Sequence, residues 1–152
     1  MDNTFILFLN DVPAENQSFV LELDEYLTSK GSKRTIKSAK SGFVTSYSNP
    51  KSGRTLLNYV FRKTGVKIRI YAQSIGEHSD ILSGFPDKMK MEIIKAGDCK
   101  KLNGLKCSPT CNGGYDFFMD GVEYKKCRNT AFFYSLIEEN YDAIKQLISA
   151  EI

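Results

Sequence analysis

The chain has 152 residues, 41% apolar and 26% charged, with ten Phe, eight Tyr, no Trp and a formal net charge of +3. Such a length suits one domain with a core of its own, and the composition excludes the disordered and collagen-like classes. No apolar run approaches the ~18 residues of a membrane-spanning helix, so no membrane partner is expected.

The opening MDNTFILFLNDV lacks the positive n-region and small-residue cleavage site of a signal peptide, which points to a reducing cytoplasm. Phe5, Phe8, Leu9 and Val12 recur at i, i+3, i+4 and i+7, one face of a helix. A strand over residues 4–9 is the alternative. Pro13 ends this segment and opens the next. There Phe19, Val20, Leu23, Tyr26 and Leu27 keep the helical stripe until Gly31 stops it.

From residue 34 the period changes to two. RTIKSA and FVTSYS read as strands, the second with Phe43, Thr45 and Tyr47 on one face. NPKSG is a turn by composition. TLLNYVFR sets Leu57, Tyr59 and Phe61 against Leu56, Asn58, Val60 and Arg62, and VKIRIY sets Val66, Ile68 and Ile70 against Lys67, Arg69 and Tyr71. Antiparallel strands of this kind pack one face on a core and leave the other wet. Helical spacing returns with Ile81, Leu82 and Phe85, and after Pro86 with Met89, Ile93 and Ile94. YDFFM and VEYKKC flank Asp120-Gly121, a type I′ hairpin signal. TAFFYSL reads as a further strand. Ser135 and Glu138 form an S-x-x-E capping box, and Tyr141, Ile144, Leu147 and Ile148 mark a final helix. The expected architecture is a single α+β domain over residues 1–152: helices and a basic antiparallel meander through residue 98, then a cysteine block, hairpin and helix over 99–152.

Charge is segregated. Residues 1–29 hold six Asp or Glu and no Lys or Arg, whereas residues 30–69 hold eleven Lys or Arg and no Asp or Glu. A basic block on alternating strands suits an anionic partner, nucleic acid among them; equally, it could neutralise the acidic helices. Under the first reading Arg54, Arg62, Lys63, Lys67 and Arg69 contact phosphate and Tyr71 stacks on a base. A sensor of small molecules, with Phe43, Tyr47, Phe117, Tyr124 and Phe133 around an aromatic pocket, is the alternative.

All four cysteines lie in one stretch, CKKLNGLKCSPTCNGGYDFFMDGVEYKKC. Cys107 and Cys111 bracket Ser-Pro-Thr and precede Asn-Gly-Gly, which suits a knuckle whose backbone N–H groups turn toward sulfur. With Cys99 and Cys127 they would complete a tetrahedral, closed and therefore structural zinc site. Inert thiols or a redox pair are the other readings. A thiol enzyme would need a base, and the chain has only His78. No G-x-S-x-G, P-loop, H-E-x-x-H or G-x-G-x-x-G pattern occurs, so a dedicated enzyme is not expected.

The runs KSGFVTSY, NYVFRKTGVKIRIY, FPDKMKMEIIKAGDCKKL and CSPTCNGGYDFFMDGVEYKKCRNTAFFY resemble a family of small uncharacterised bacterial proteins, mostly from anaerobic Gram-positive organisms. The meander also looks distantly like domains attached to predicted nucleases, without matching any nuclease carboxylates. The resemblance implies that Cys99, Cys107, Cys111 and Cys127 form a characteristic set and implies no activity.

Overall fold

The computed structural model describes residues 2–40 and 42–152. Its first two helices are α1 (Asn3–Asp11) and α2 (Ala14–Ser29). Asp2 caps α1, accepting from the backbone N–H groups of Thr4 and Phe5 through its carboxylate, as an N-cap carboxylate does. The predicted stripe faces inward: Phe5, Phe8, Val12, Phe19, Val20, Leu23 and Leu27 are buried. The chain leaves α2 through Gly31 at φ +95°, a conformation open to glycine and costly for other residues.

Four strands follow as a meander: β1 (Arg34–Ala39), β2 (Gly42–Ser48), β3 (Thr55–Arg62) and β4 (Gly65–Ile70). The strand and hairpin boundaries read from the alternation hold to within a residue or two. Next come α3 (Ser79–Ser83) and α4 (Asp87–Lys95), then β5 (Tyr115–Met119) and β6 (Val122–Lys126), a separate two-stranded hairpin. Asp120 and Gly121 take φ values of +52° and +80°, as a type I′ turn requires. β7 (Phe133–Ser135) then returns to the first sheet, pairing with β4, and α5 (Tyr141–Glu151) closes the chain. The large sheet is antiparallel throughout, in the order β1-β2-β3-β4-β7. The fold is α+β, and among the described residues no helix is long and apolar enough to cross a membrane.

Two expectations change. TAFFYSL contributes only a three-residue strand, because residues 127–131 form a turn in which the N–H groups of Thr130 and Ala131 both donate to the Cys127 carbonyl. The capping box does not form. Ser135 belongs to β7, a 3₁₀ turn over Glu138–Asn140 intervenes, and Asn140 ties back by donating from Nδ2 to the Ser135 carbonyl.

The helices cover one face of the sheet. Phe8 lies 5.7 Å from the Tyr59 ring and 5.9 Å from Phe61, and Phe85 meets Tyr134 edge-on. Tyr47, Leu57, Tyr59, Ile68 and Tyr134 supply that face, all buried. At its edge the acidic and basic segments meet. Arg34 pairs with Asp24 and Asp2 and lies 4.1 Å from the Phe5 ring centroid, while Tyr47 donates its hydroxyl to Asp24 at 2.7 Å. Part of the charge segregation is therefore internal neutralisation, through Arg34. Lys37, Arg62, Lys67 and Arg69 stand on the opposite side of their strands from Arg34 and Tyr47.

Candidate nucleic-acid interface

The opposite sheet face is set by pleat and register. In the β3–β4 pairing Asn58 opposes Arg69 and Val60 opposes Lys67, and in the β4–β7 pairing Arg69 opposes Phe133. Residues opposed across an antiparallel pair share a face. Asn58, Val60, Lys67, Arg69 and Phe133 therefore stand together on the side away from the helices, and Arg62, two positions from Val60, joins them. Leu56 and Val60 are the buried apolar members of this face; the rest are half-buried or exposed.

Phe133 is its centre. The Lys67 ammonium lies 4.4 Å from the Phe133 ring centroid, the Arg69 guanidinium 4.5 Å and the Arg62 guanidinium 5.5 Å. Each distance is within cation–π range. Among the described residues, none of Arg54, Arg62, Lys63, Lys67, Arg69 and Arg128 forms an ion pair with a carboxylate. Glu92 on α4 carries the acid whose charge Lys67 feels: burial raises its carboxyl above the usual range, and Lys67 draws it down in part. Arg69 is also held from the side, donating from Nε to the Asn129 carbonyl at 2.8 Å and from Nη1 to Asn58 Oδ1 at 3.3 Å. Lys63 lies exposed in the β3–β4 turn, beyond the ring.

Next to this platform is a cleft of about 710 Å³, between the sheet and the loop that carries Cys107 and Cys111. Ser46, Asn58 and Tyr71 from the sheet region and Ser108, Thr110 and Cys111 from the loop line it. Arg54 and Arg128 stand at its sides. Arg54 ends a turn that is tied down: the Asn49 N–H donates to the Arg54 carbonyl at 2.6 Å, and the Asn49 side chain donates to the Glu151 carbonyl at 2.9 Å. Arg128 follows β6 and lies 5.2 Å from the Tyr71 ring centroid. Among the described residues that line the cleft there is no Asp or Glu. The loop is braced by Lys101, which donates from Nζ to the Cys111 carbonyl at 2.6 Å, and by a 2.9 Å contact between the Ser108 and Thr110 hydroxyls.

The cysteines divide. Asp98 and Lys126 form an isolated antiparallel bridge on the edge of β6 away from β5. The Cys99 N–H donates to the Lys125 carbonyl at 2.8 Å and the Cys127 N–H to the Gly97 carbonyl at 2.7 Å. Cys99 and Cys127 thus sit diagonally across the pairing. Cys99 is buried, with Gly114 against it. The Gly113 N–H points to the Cys111 sulfur at 3.4 Å, the knuckle-like contact expected of Asn-Gly-Gly. Cys107, however, is exposed, all four thiols are free, and among the described residues no three His, Cys, Asp or Glu side chains gather as a metal-ion set. Cys107 lies in the exposed 100–114 loop, whereas Cys99 is buried.

A clasp does exist in this region, made by a residue that carried no signal in the sequence. Lys126 is buried and donates from Nζ to the Ile94 and Ala96 carbonyls at 2.9 and 3.0 Å and to Asp98 Oδ1 at 2.9 Å. These carbonyls lie at the C-terminus of α4, where a cation satisfies acceptors that the helix leaves open.

The aromatic candidates for a ligand pocket are dispersed. Tyr47 and Phe117 are core residues, Tyr124 packs on Phe117 in the hairpin, Phe43 sits half-buried near the sheet edge, and Phe133 faces outward. His78 is half-buried just before α3, and its charge bears on Glu151. Comparison with family models, curated proteins and solved structures finds no match for this chain.

Proposed function

We propose that the sheet face away from the helices binds single-stranded nucleic acid, as a non-enzymatic binding surface. The observation that supports this reading is the grouping of Arg62, Lys67 and Arg69 around the half-exposed Phe133 ring, none of them in a contact ion pair among the described residues. Proteins that hold single strands without strict sequence preference combine a cationic groove for the backbone with aromatic rings on which bases stack. Here the ring is Phe133 and the backbone contacts are Arg62, Lys67 and Arg69, with Lys63 reaching a neighbouring phosphate. Duplex DNA suits the face less well. A sheet face presents no helix to enter a major groove, and a base inside a duplex cannot present its face to a ring.

The test is a fluorescence-anisotropy titration of labelled single-stranded RNA and DNA, with a duplex for comparison, from 25 to about 300 mM salt. Single strands should bind at low salt and weaken linearly in log–log form, with a slope of about 0.7 for each phosphate neutralised. No binding of either single strand at the lowest salt would sink the reading.

A further inference from the structure

We infer that the cleft beside the platform is a site for a phosphomonoester: the phosphorylated end of the nucleotide strand held on the sheet. The inference rests on the single-strand reading above and extends it from a surface to a class of ligand.

Three observations carry it. The first is charge. Arg54 and Arg128 come from turns far apart in sequence and border one cleft, and its described lining contains no carboxylate. An internal phosphodiester carries one negative charge, whereas a terminal phosphomonoester approaches two near neutral pH. Two guanidiniums match the second better than the first, and guanidinium geometry suits paired phosphate oxygens.

Donors other than the two arginines make up the second. Ser46, Asn58, Ser108 and Thr110 bring hydroxyl and amide groups into the same space, enough to satisfy a phosphate oxygen that the guanidiniums leave open. Asn58 is shared between the two sites. Its Oδ1 accepts from Arg69, which leaves its amide N–H group to the cleft and fixes which way that group turns. Arg69 thus links the platform to the cleft, since its guanidinium also lies 4.5 Å from the Phe133 ring centroid.

Shape is the third observation. About 710 Å³ lies within the range of small-molecule sites and exceeds what a bare phosphate needs. Tyr71 lines this volume, and Arg128 covers its ring. Ser108, Thr110 and Cys111 bring the cysteine loop to the same cleft as Tyr71 and Asn58, beside the Phe133 platform. A cleft with two cations and several neutral donors suits an end.

The experiment uses the full chain and one short sequence prepared in three forms, with a 5′-phosphate, with a 3′-phosphate and with neither, each titrated by anisotropy at fixed salt. One phosphorylated form should bind at least about tenfold more tightly than the unphosphorylated form, the scale of a few charge-assisted hydrogen bonds, and its identity gives the polarity of the strand. In Arg54→Gln, an exposed position whose change leaves the core untouched, and in Arg128→Gln, the ratio between phosphorylated and unphosphorylated affinities should fall toward one. Competition by the matching mononucleotide, with none from inorganic phosphate at equal concentration, assigns the site to a nucleotide end. Equal affinity for all three forms overturns this inference and leaves the single-strand reading standing. A preference that survives in both arginine variants also overturns it. If no form binds, both readings fall together.

Discussion

Arg69 and Phe133 face each other directly across the β4–β7 pairing, with the guanidinium 4.5 Å from the ring centroid. The strand that completes the sheet therefore delivers an aromatic ring to cations already in place on β3 and β4. Phe133→Ala should weaken single-strand binding about 5- to 150-fold, the range of one lost stacking contact of 1–3 kcal/mol. Anisotropy measures this. Because the ring is half-exposed, the thermal midpoint should move far less than for a buried phenylalanine, and a collapse of the fold would overturn the placement. Arg69→Gln, in contrast, should lower both the affinity and the salt slope.

The Arg34–Asp24–Tyr47 network gives a stability prediction. Asp24→Ala leaves a partly buried guanidinium and a buried hydroxyl without their shared acceptor. A cost of about 3 kcal/mol is expected in urea unfolding, since breaking a buried pair strands its partner. Changing both charged partners, Asp24→Leu with Arg34→Met, should recover part of that loss. Equal losses in the single and double variants would argue against a coupled pair.

Glu151 predicts a pH dependence. Burial raises its carboxyl above 4.5, against the N–H of Ser74, which bonds both carboxylate oxygens at 3.0–3.1 Å and lowers it. A carboxyl whose folded pKa lies above the unfolded one binds protons more tightly in the native state. Its contribution to stability is full below the unfolded pKa and is lost as pH rises through the folded value. Wild type should therefore lose stability relative to Glu151→Gln as pH is raised from 4 upward, with a plateau once the folded group is ionised. A difference that stays constant with pH would refute this.

Gly114 and Gly113 should respond differently to alanine. A Cβ on Gly114 would fall 2.2 Å from the Lys126 carbonyl oxygen and 2.8 Å from the Cys99 sulfur, so backbone must shift. Overpacking of this order costs about 1–3 kcal/mol or more. Gly113 has open space but φ +94°, so Gly113→Ala meets only conformational strain, about 1 kcal/mol. Urea midpoints of the two variants separate the cases, and a harmless Gly114→Ala would contradict the packing.

Thiol alkylation followed by mass spectrometry should modify Cys107 first and Cys99 last, in order of exposure. As folded here, the Cys107 rate should be the same before and after chelation. A slower rate before chelation, with one equivalent of zinc by elemental analysis, would mean that the loop closes its four cysteines on a metal.

Much of this was legible in advance because alternation along a strand states its two faces directly. Leu57, Tyr59, Val66, Ile68 and Ile70 are inward as read, and Arg62, Lys67 and Arg69 outward, because polar and apolar residues alternate there. Phe132, Phe133 and Tyr134 show the limit. Three aromatics in a row carry no alternation, so nothing local says that the middle one faces solvent, and Phe133 read as a pocket residue. The cleft could not be seen at all. It joins positions 46–71 to 108–129, a proximity made by the return of the chain to β4 and not by any spacing. Lys126 was hidden for a related reason: a lysine in a charged strand looks solvated until the end of α4 is brought over it. The capping box failed because S-x-x-E is short enough to arise by chance in a strand exit.

The pairing of β7 with β4 also has a consequence during synthesis. The pairings within residues 34–70 are local in sequence, but the β4 edge is completed only by residues 133–135. Until then the nascent chain displays Arg62, Lys67 and Arg69 without their ring, beside an edge able to pair with another chain. A ribosome stalled anywhere between these strands would hold a protein with the charge of a binding surface and none of its stacking. Competence on the proposed face thus depends on residues 133–135 having been made and paired with β4.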